Sequence, residues 1–167
     1  SAFAYETPQE LEAVFEGRQF GHVYSRISNP TVGVLEQRVA ALEGGSAAVC
    51  VASGMSAIFC ALTAIVSQGD HIVASANMYG GNISLLKNTL PRFGITSTFV
   101  DPTDIDAIEA AIQNNTKIVF GELIGNPGLS VMDIEAVAKI CKKHHLPLMI
   151  DGTFNTPYLC RCFDYGA

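Results

Sequence analysis

The chain has 167 residues, enough for one domain or for a domain with part of another. Apolar residues make up 49% and charged residues 16%, a balance that excludes disorder and supplies ample material for a core. Ten Lys and Arg against sixteen Asp and Glu leave a formal charge of −6, which argues against nucleic acid as a partner.

The N-terminus, Ser1-Ala2-Phe3-Ala4-Tyr5-Glu6, has neither a basic region nor a long apolar region, so no secretory signal is expected. Five irregularly spaced cysteines do not make a disulfide framework, and a reducing, cytoplasmic setting is expected. Residues 31–43 read as a helix stopped by Gly44-Gly45. No charged residue occurs between Glu43 and Asp70, and residues 47–66 are long enough to span a bilayer. Ser53-Gly54 interrupts that run, however, and both flanks are acidic. A buried strand over 48–52, a tight turn and a buried helix over 55–67 give the same apolar length, so no membrane partner is expected.

Residues 72–75 are strand-like, and 82–89 read as a helix that Pro91 helps to terminate. Residues 95–100 alternate and are rich in β-branched side chains. Thr103 with Asp106 resembles a capping pair ahead of Ile105, Ile108 and Ile112, which share one helical face. Residues 117–121 form another strand. Asp133 can cap a helix running through Lys143, and 147–151 form a last strand ending on a carboxylate. Strands alternating with helices predict an α/β fold: a three-layer, mostly parallel open sheet covered on both faces. In such sheets ligands gather beyond the carboxyl ends of the strands.

Several polar signals fall at those ends. Ser53-Gly54-Met55-Ser56 leads into a helix and suits an anion, although a plain tight turn reads the same. Neither Gly-x-Gly-x-x-Gly nor Gly-x-x-x-x-Gly-Lys occurs, so nucleotide binding of either type lacks its main support. Tyr79-Gly80-Gly81 can place a ring to stack on a flat ligand, or simply pack as a loop aromatic. Glu122 and the turn Gly125-Asn126-Pro127-Gly128 follow the next strand. Asp151 closes an apolar strand, where a carboxylate needs a partner. It can cap the following turn or pair with a ligand cation. His144-His145, Cys160-x-Cys162 and the scattered methionines carry no comparable signal; a metal site would need further ligands.

A phosphate cradle, a stacking ring and a carboxylate for a protonated ring nitrogen together suit pyridoxal 5'-phosphate (PLP). The segment Gly21-His22-Val23-Tyr24-Ser25-Arg26-Ile27-Ser28-Asn29-Pro30-Thr31 resembles a signature of the Cys/Met-metabolism PLP-dependent enzymes. So do Ala52-Ser53-Gly54-Met55-Ser56-Ala57-Ile58, Tyr79-Gly80-Gly81, and residues 122–127 and 151–159, in the family's order. The resemblance implies the large domain, in part, of a fold-type I PLP enzyme. Residues 1–45 would be the end of an N-terminal segment with its lead-in helix, and 46–167 the first part of the cofactor domain.

The resemblance also implies roles. Gly54 and Met55 would offer backbone N–H groups to the cofactor phosphate, and Tyr24 and Arg26 would reach the phosphate of a neighbouring subunit. Tyr79 would stack on the pyridine ring, Asn126 would approach its phenolic oxygen, and Thr153 would lie beside it. Asp151 would hold the ring nitrogen protonated, so Tyr79 and Asp151 are the expected catalytic groups. Gly152 departs from the family, which usually has Asn or Ser there. The family's cofactor-bonding lysine follows shortly after the point where this chain stops, in a Ser-x-Thr-Lys setting. None of Lys87, Lys117, Lys139, Lys142 and Lys143 has that setting. The resemblance therefore implies a piece of a larger subunit, in a homodimer or homotetramer with shared active sites, and inactive alone. The implied reaction of the parent is γ-replacement, from O-acetyl-L-homoserine and sulfide, or a thiol, to homocysteine and acetate. Methionine γ-lyase and cystathionine γ-synthase chemistry are the alternatives within the family. A non-catalytic binding or assembly piece is the alternative of a different class, and a Rossmann-like nucleotide module the third.

Overall fold

A computed structural model describes residues 1–167. By compactness the chain divides into two units, Ser1–Ala41 with Gly45–Cys50, and Leu42–Gly44 with Val51–Ala167. In the first unit, α1 spans Pro8–Phe15. Its start is a capping box, in which Thr7 Oγ1 accepts the Glu10 N–H while Glu10 accepts that of Thr7. Helix α2 spans Pro30–Glu43, with its last two residues, Leu42 and Glu43, assigned to the second unit. Asn29 Oδ1 accepts the N–H groups of Thr31 (2.9 Å) and Val32 (3.3 Å) at its start. Tyr24 and Arg26 belong to this unit, with the guanidinium carbon 5.5 Å from the Tyr24 ring centroid.

The second unit is built on four parallel strands: β1 (His71–Ser75), β2 (Thr96–Val100), β3 (Thr116–Glu122) and β4 (Leu148–Asp151). Their order is β2-β1-β3-β4. Alternation along β1 and β3 divides the core between the two faces. Ile72, Ala74, Ile118 and Phe120 pack on one side with Leu62, Leu86 and Leu90. Val73 and Val119 pack on the other with Ile108, Val137 and Leu148. The first face is covered by α3 (Gly54–Thr63), α4 (Gly80–Ser84) and the turns that follow; the second by α5 (Ile105–Ala110) and α6 (Ile134–Lys143). A four-residue α7 (Thr156–Leu159) lies beyond β4. The expected three-layer parallel α/β sheet is therefore formed. No helix is long and apolar enough to cross a membrane.

Three expectations need correction. Residues 48–52 are not a strand: they pair with nothing in the sheet, and the Val49 side chain is largely exposed. The segment 82–89 is not one α-helix. After α4 the chain widens to a π-turn over Leu85–Thr89 and tightens to a 3₁₀ turn over Leu90–Phe93, with Pro91 inside that turn. Helix α5 is capped by Asp104, whose Oδ1 accepts the Ala107 N–H at 2.9 Å. Thr103 instead donates its N–H (2.9 Å) and hydroxyl (2.7 Å) to Asp101. Asp133 caps α6 as expected, accepting the Ala136 N–H at 2.9 Å.

His71 lies buried at the start of β1 between the hydroxyls of Thr116 (2.8 Å) and Thr98 (2.9 Å). Burial pushes its pKa below the ordinary histidine value. Phe120 is fully buried at the centre of the first cluster, whereas Asp133 acts at an exposed helix end. Phe120→Ala should therefore cost about 3–5 kcal/mol and Asp133→Ala about 1 kcal/mol, read from urea unfolding. Equal costs would show that β3 does not organise the core.

Candidate active site

The strand order reverses direction between β1 and β3, since the chain leaves β1 towards one edge and β3 towards the other. A crevice opens at such a point beyond the carboxyl ends. A cavity of about 390 Å³ lies here. Its walls come from the start of α3 (Ser53, Gly54, Met55, Ile58) and from the turn after β1 (Tyr79, Asn82). The end of β3 and its turn supply Glu122 and Asn126; β4 and its turn supply Asp151, Thr153 and Phe154.

At the first wall, Ser53 is the N-cap of α3. Its Oγ accepts the Ser56 N–H at 3.1 Å, and its carbonyl accepts that of Ala57 at 3.0 Å. The N–H groups of Gly54 and Met55 are left without a protein acceptor, at the positive end of the helix dipole. Such a pair of donors suits an anion, and no basic side chain is among the cavity's lining residues.

Tyr79 caps α4 and presents a half-exposed ring. Its position depends on Gly81, because a Cβ there would collide with the Tyr79 ring and stand 3.0 Å from Met55 Sδ. The main chain of Tyr79 is held from β3: Glu122 Oε1 accepts its N–H at 2.7 Å. The same oxygen accepts from Asn82 Nδ2 at 2.9 Å, and Asn82 Nδ2 also reaches Asp151 Oδ2 at 3.4 Å. Asp151 Oδ1 accepts the Thr153 N–H (3.0 Å) and hydroxyl (2.5 Å).

Glu122 and Asn82 are buried, whereas Asp151 is partly open to the cavity. Burial pushes the Glu122 carboxyl above its ordinary value. The Tyr79 N–H opposes the shift, the Asp151 charge adds to it, and Asn82 and the Asn126 main chain offset part of it. Asn82 Oδ1 is buried without a partner. Gly152 leaves 3.3 Å between a notional Cβ and both polar atoms of the buried Asn155 side chain, so a larger residue would need Asn155 to yield.

Six of the residues expected at the site thus surround one cavity: Gly54, Met55, Tyr79, Asn126, Asp151 and Thr153. Tyr24 and Arg26 are in the other compact unit. Asn82 and Glu122 also line the cavity, although neither has a role among those the family resemblance implies. The available signal was polarity at positions the fold buries, Asn82 three residues after Tyr79 and Glu122 closing an apolar strand. All five lysines are exposed, and none lines the cavity. His144 pairs with Glu109 at 2.6 Å, and burial pushes the Cys141 and Cys162 thiols up to about 11.

Unfilled N–H donors, an aromatic face, apolar walls and a strand-end carboxylate are chemically suited to a flat, phosphorylated, protonatable ligand. That chemistry fits PLP: an anion for α3, a ring for Tyr79, a ring nitrogen for Asp151. Over residues 1–167 the chain belongs to the Cys/Met metabolism PLP-dependent enzyme family, whose cofactor is PLP. It is 42% identical over 167 residues to an O-acetyl-L-homoserine sulfhydrylase of Leptospira meyeri, covering all of this chain and 38% of that protein. It is 40% identical to an L-methionine gamma-lyase of Pseudomonas putida, covering all of this chain and 42% of that one. Among solved structures, a Campylobacter jejuni protein described as an O-acetylhomoserine (thiol)-lyase contains N'-pyridoxyl-lysine-5'-monophosphate. It matches with a TM-score of 0.93 and 41% identity, covering 100% of this chain and 41% of its own. The chain spans about two-fifths of the length of these relatives.

The raised Glu122 pKa has a consequence for stability. A proton held more tightly in the folded state contributes stability below the ordinary value of 4.5, and that contribution is lost as pH rises through the raised pKa. Glu122→Gln should therefore gain stability relative to the unsubstituted protein as pH increases through this window. Unfolding midpoints across the window check this; a difference growing in the opposite direction would show Glu122 to be stabilised as an anion.

Proposed function

We propose that the parent enzyme converts O-acetyl-L-homoserine and sulfide to homocysteine and acetate, with this chain supplying most of the cofactor floor. When bound, PLP supplies an electron sink for the charge left on removal of the substrate's α-proton. The chain's own residues prepare that sink. The Gly54 and Met55 N–H groups would hold the phosphate, and the Tyr79 ring would stack on the cofactor ring. Asp151, its carboxylate oriented by Thr153, would hold a proton on the bound ring's nitrogen, and Asn126 would help hold the ring from the cavity wall. Main-chain donors alone leave the phosphate without a fixed cation. Tyr24 and Arg26 of a neighbouring subunit supply one in our reading, which makes the enzyme a homodimer or homotetramer with shared sites. Five free cysteines fit a reducing cytoplasm.

The observation that carries sulfhydrylase over γ-lyase is Gly81. Methionine γ-lyases typically have cysteine just after the Tyr-Gly pair, and here a Cβ would displace the Tyr79 ring. The full-length enzyme should form homocysteine from O-acetyl-L-homoserine and sulfide faster than it eliminates from methionine. Asp151→Asn should lower that turnover at least roughly a hundredfold while PLP stays bound, because an amide does not favour a protonated pyridine. Faster elimination from methionine would favour the lyase, and unchanged turnover in Asp151→Asn would refute the assigned role.

None of the five lysines lies at the cavity, so the 167 residues alone should not capture the cofactor covalently. Treatment with PLP and borohydride, followed by peptide mapping, should give scattered substoichiometric labelling of the exposed Lys139, Lys142 and Lys143. A stoichiometric adduct on one lysine, with α-proton exchange, would overturn this.

A further inference from the structure

Tyr79 and Asp151 come from different strand ends, yet they must meet one flat ring from its face and its edge. Nothing in either segment fixes their mutual distance. Tyr79 follows β1, and its half-exposed ring is free of side-chain hydrogen bonds within the chain. Asp151 ends β4, with β3 between β1 and β4 in the sheet. The side chain at the end of β3 lies where the two can be joined.

We propose that Glu122 is a positioning residue, which through Asn82 and the Tyr79 main chain locks the stacking ring and the Asp151 carboxylate into one register. The proposal rests on the reading of Tyr79 and Asp151 given above. Glu122 Oε1 accepts the Tyr79 N–H at 2.7 Å and Asn82 Nδ2 at 2.9 Å, and Asn82 Nδ2 continues to Asp151 Oδ2 at 3.4 Å. The chain of contacts joins the ends of β1, β3 and β4 and is buried at its two middle members. The last contact is long, so it orients Asp151 Oδ2 while leaving that oxygen able to accept from a ligand. The other oxygen, Oδ1, is taken by Thr153. A buried acceptor is needed at the centre for two donors at once. Removing it takes the acceptor from the Tyr79 N–H and leaves the Asn82 amide with only its long contact to Asp151.

The test uses the full-length enzyme with PLP bound and reads the induced circular dichroism of the cofactor band per bound cofactor. That signal reports the asymmetric surroundings of the ring and not the amount of folded protein. Glu122→Ala should lose at least half of it and weaken PLP binding about tenfold, as the Tyr79 N–H and one N–H of the buried Asn82 amide lose their acceptor. Glu122→Gln, which keeps an acceptor oxygen, should retain the signal. Asn82→Ala cuts the connection in the middle and should reproduce the loss; should Glu122→Ala fail to fold, Asn82→Ala decides alone. An unchanged signal in Glu122→Ala or Asn82→Ala would overturn the proposal, as would equal loss in Glu122→Gln and Glu122→Ala. Asp151→Asn, measured alongside, separates the two readings. If it changes neither signal nor turnover, the assignment of Asp151 fails. If it changes them while Glu122→Ala does not, only the positioning role fails.

Discussion

Parallel pairing of β1 with β3 is the constraint on which the rest of the second unit depends. Parallel neighbours cannot be joined by a tight hairpin, so each connection must cross over a face of the sheet. The segment from α4 through the 3₁₀ turn covers one face between β1 and β2, and α6 covers the other between β3 and β4. Because these crossovers leave the central pair in opposite directions, their exit turns separate and open the cavity between them. The start of α3 then brings a helix N-terminus to the same place. A pair of unfilled N–H donors, a ring and a carboxylate meet there although they lie far apart in the chain.

The two carboxylates at this edge have different environments and therefore different work. Glu122 is buried, and one of its oxygens is occupied by two donors from within the protein. Desolvation pushes its pKa up, with the nearby Asp151 charge adding to the shift. Asp151 lines the cavity and meets Thr153 through one oxygen, with only a long contact at the other. Two equally exposed anions so near each other would weaken any preference for a single cation. Burying one among donors leaves the other as the group available to a ligand.

Much of the fold was legible because its signals are local. Asp133 before an apolar stripe marks α6, and the apolar runs of β1 and β3 are what strands covered on both faces require. The misread segments had equally good local signals that depend on distant partners. Residues 48–52 have strand-like composition, but a strand exists only where another strand accepts it. Around α5, Asp101, Thr103, Asp104 and Asp106 are all competent caps. Asp104 prevails because Thr103 is already held by Asp101 and the Ala107 N–H lies within reach. At the site, the turn residues Gly54, Tyr79 and Asp151 stood out by type. Asn82 did not, since its importance comes from burial between two carboxylates contributed by other strands.

The family is legible for the same reason that the particular reaction is not. In the reading proposed above, the start of α3, the Tyr79 ring and Asp151 serve the cofactor, which the family shares, and do not by themselves select a leaving group. Identities of 42% to a sulfhydrylase and 40% to a γ-lyase are accordingly too close to separate the two. In our proposal, what separates them acts on the space beside the Tyr79 ring. Gly81 bears on that space directly: its missing side chain lets Tyr79 lie close to the chain and to Met55. Any side chain at this position must push the ring outward or be pushed away itself. A change of one residue can thus shift the Tyr79 ring while leaving the start of α3 and Asp151 where they are.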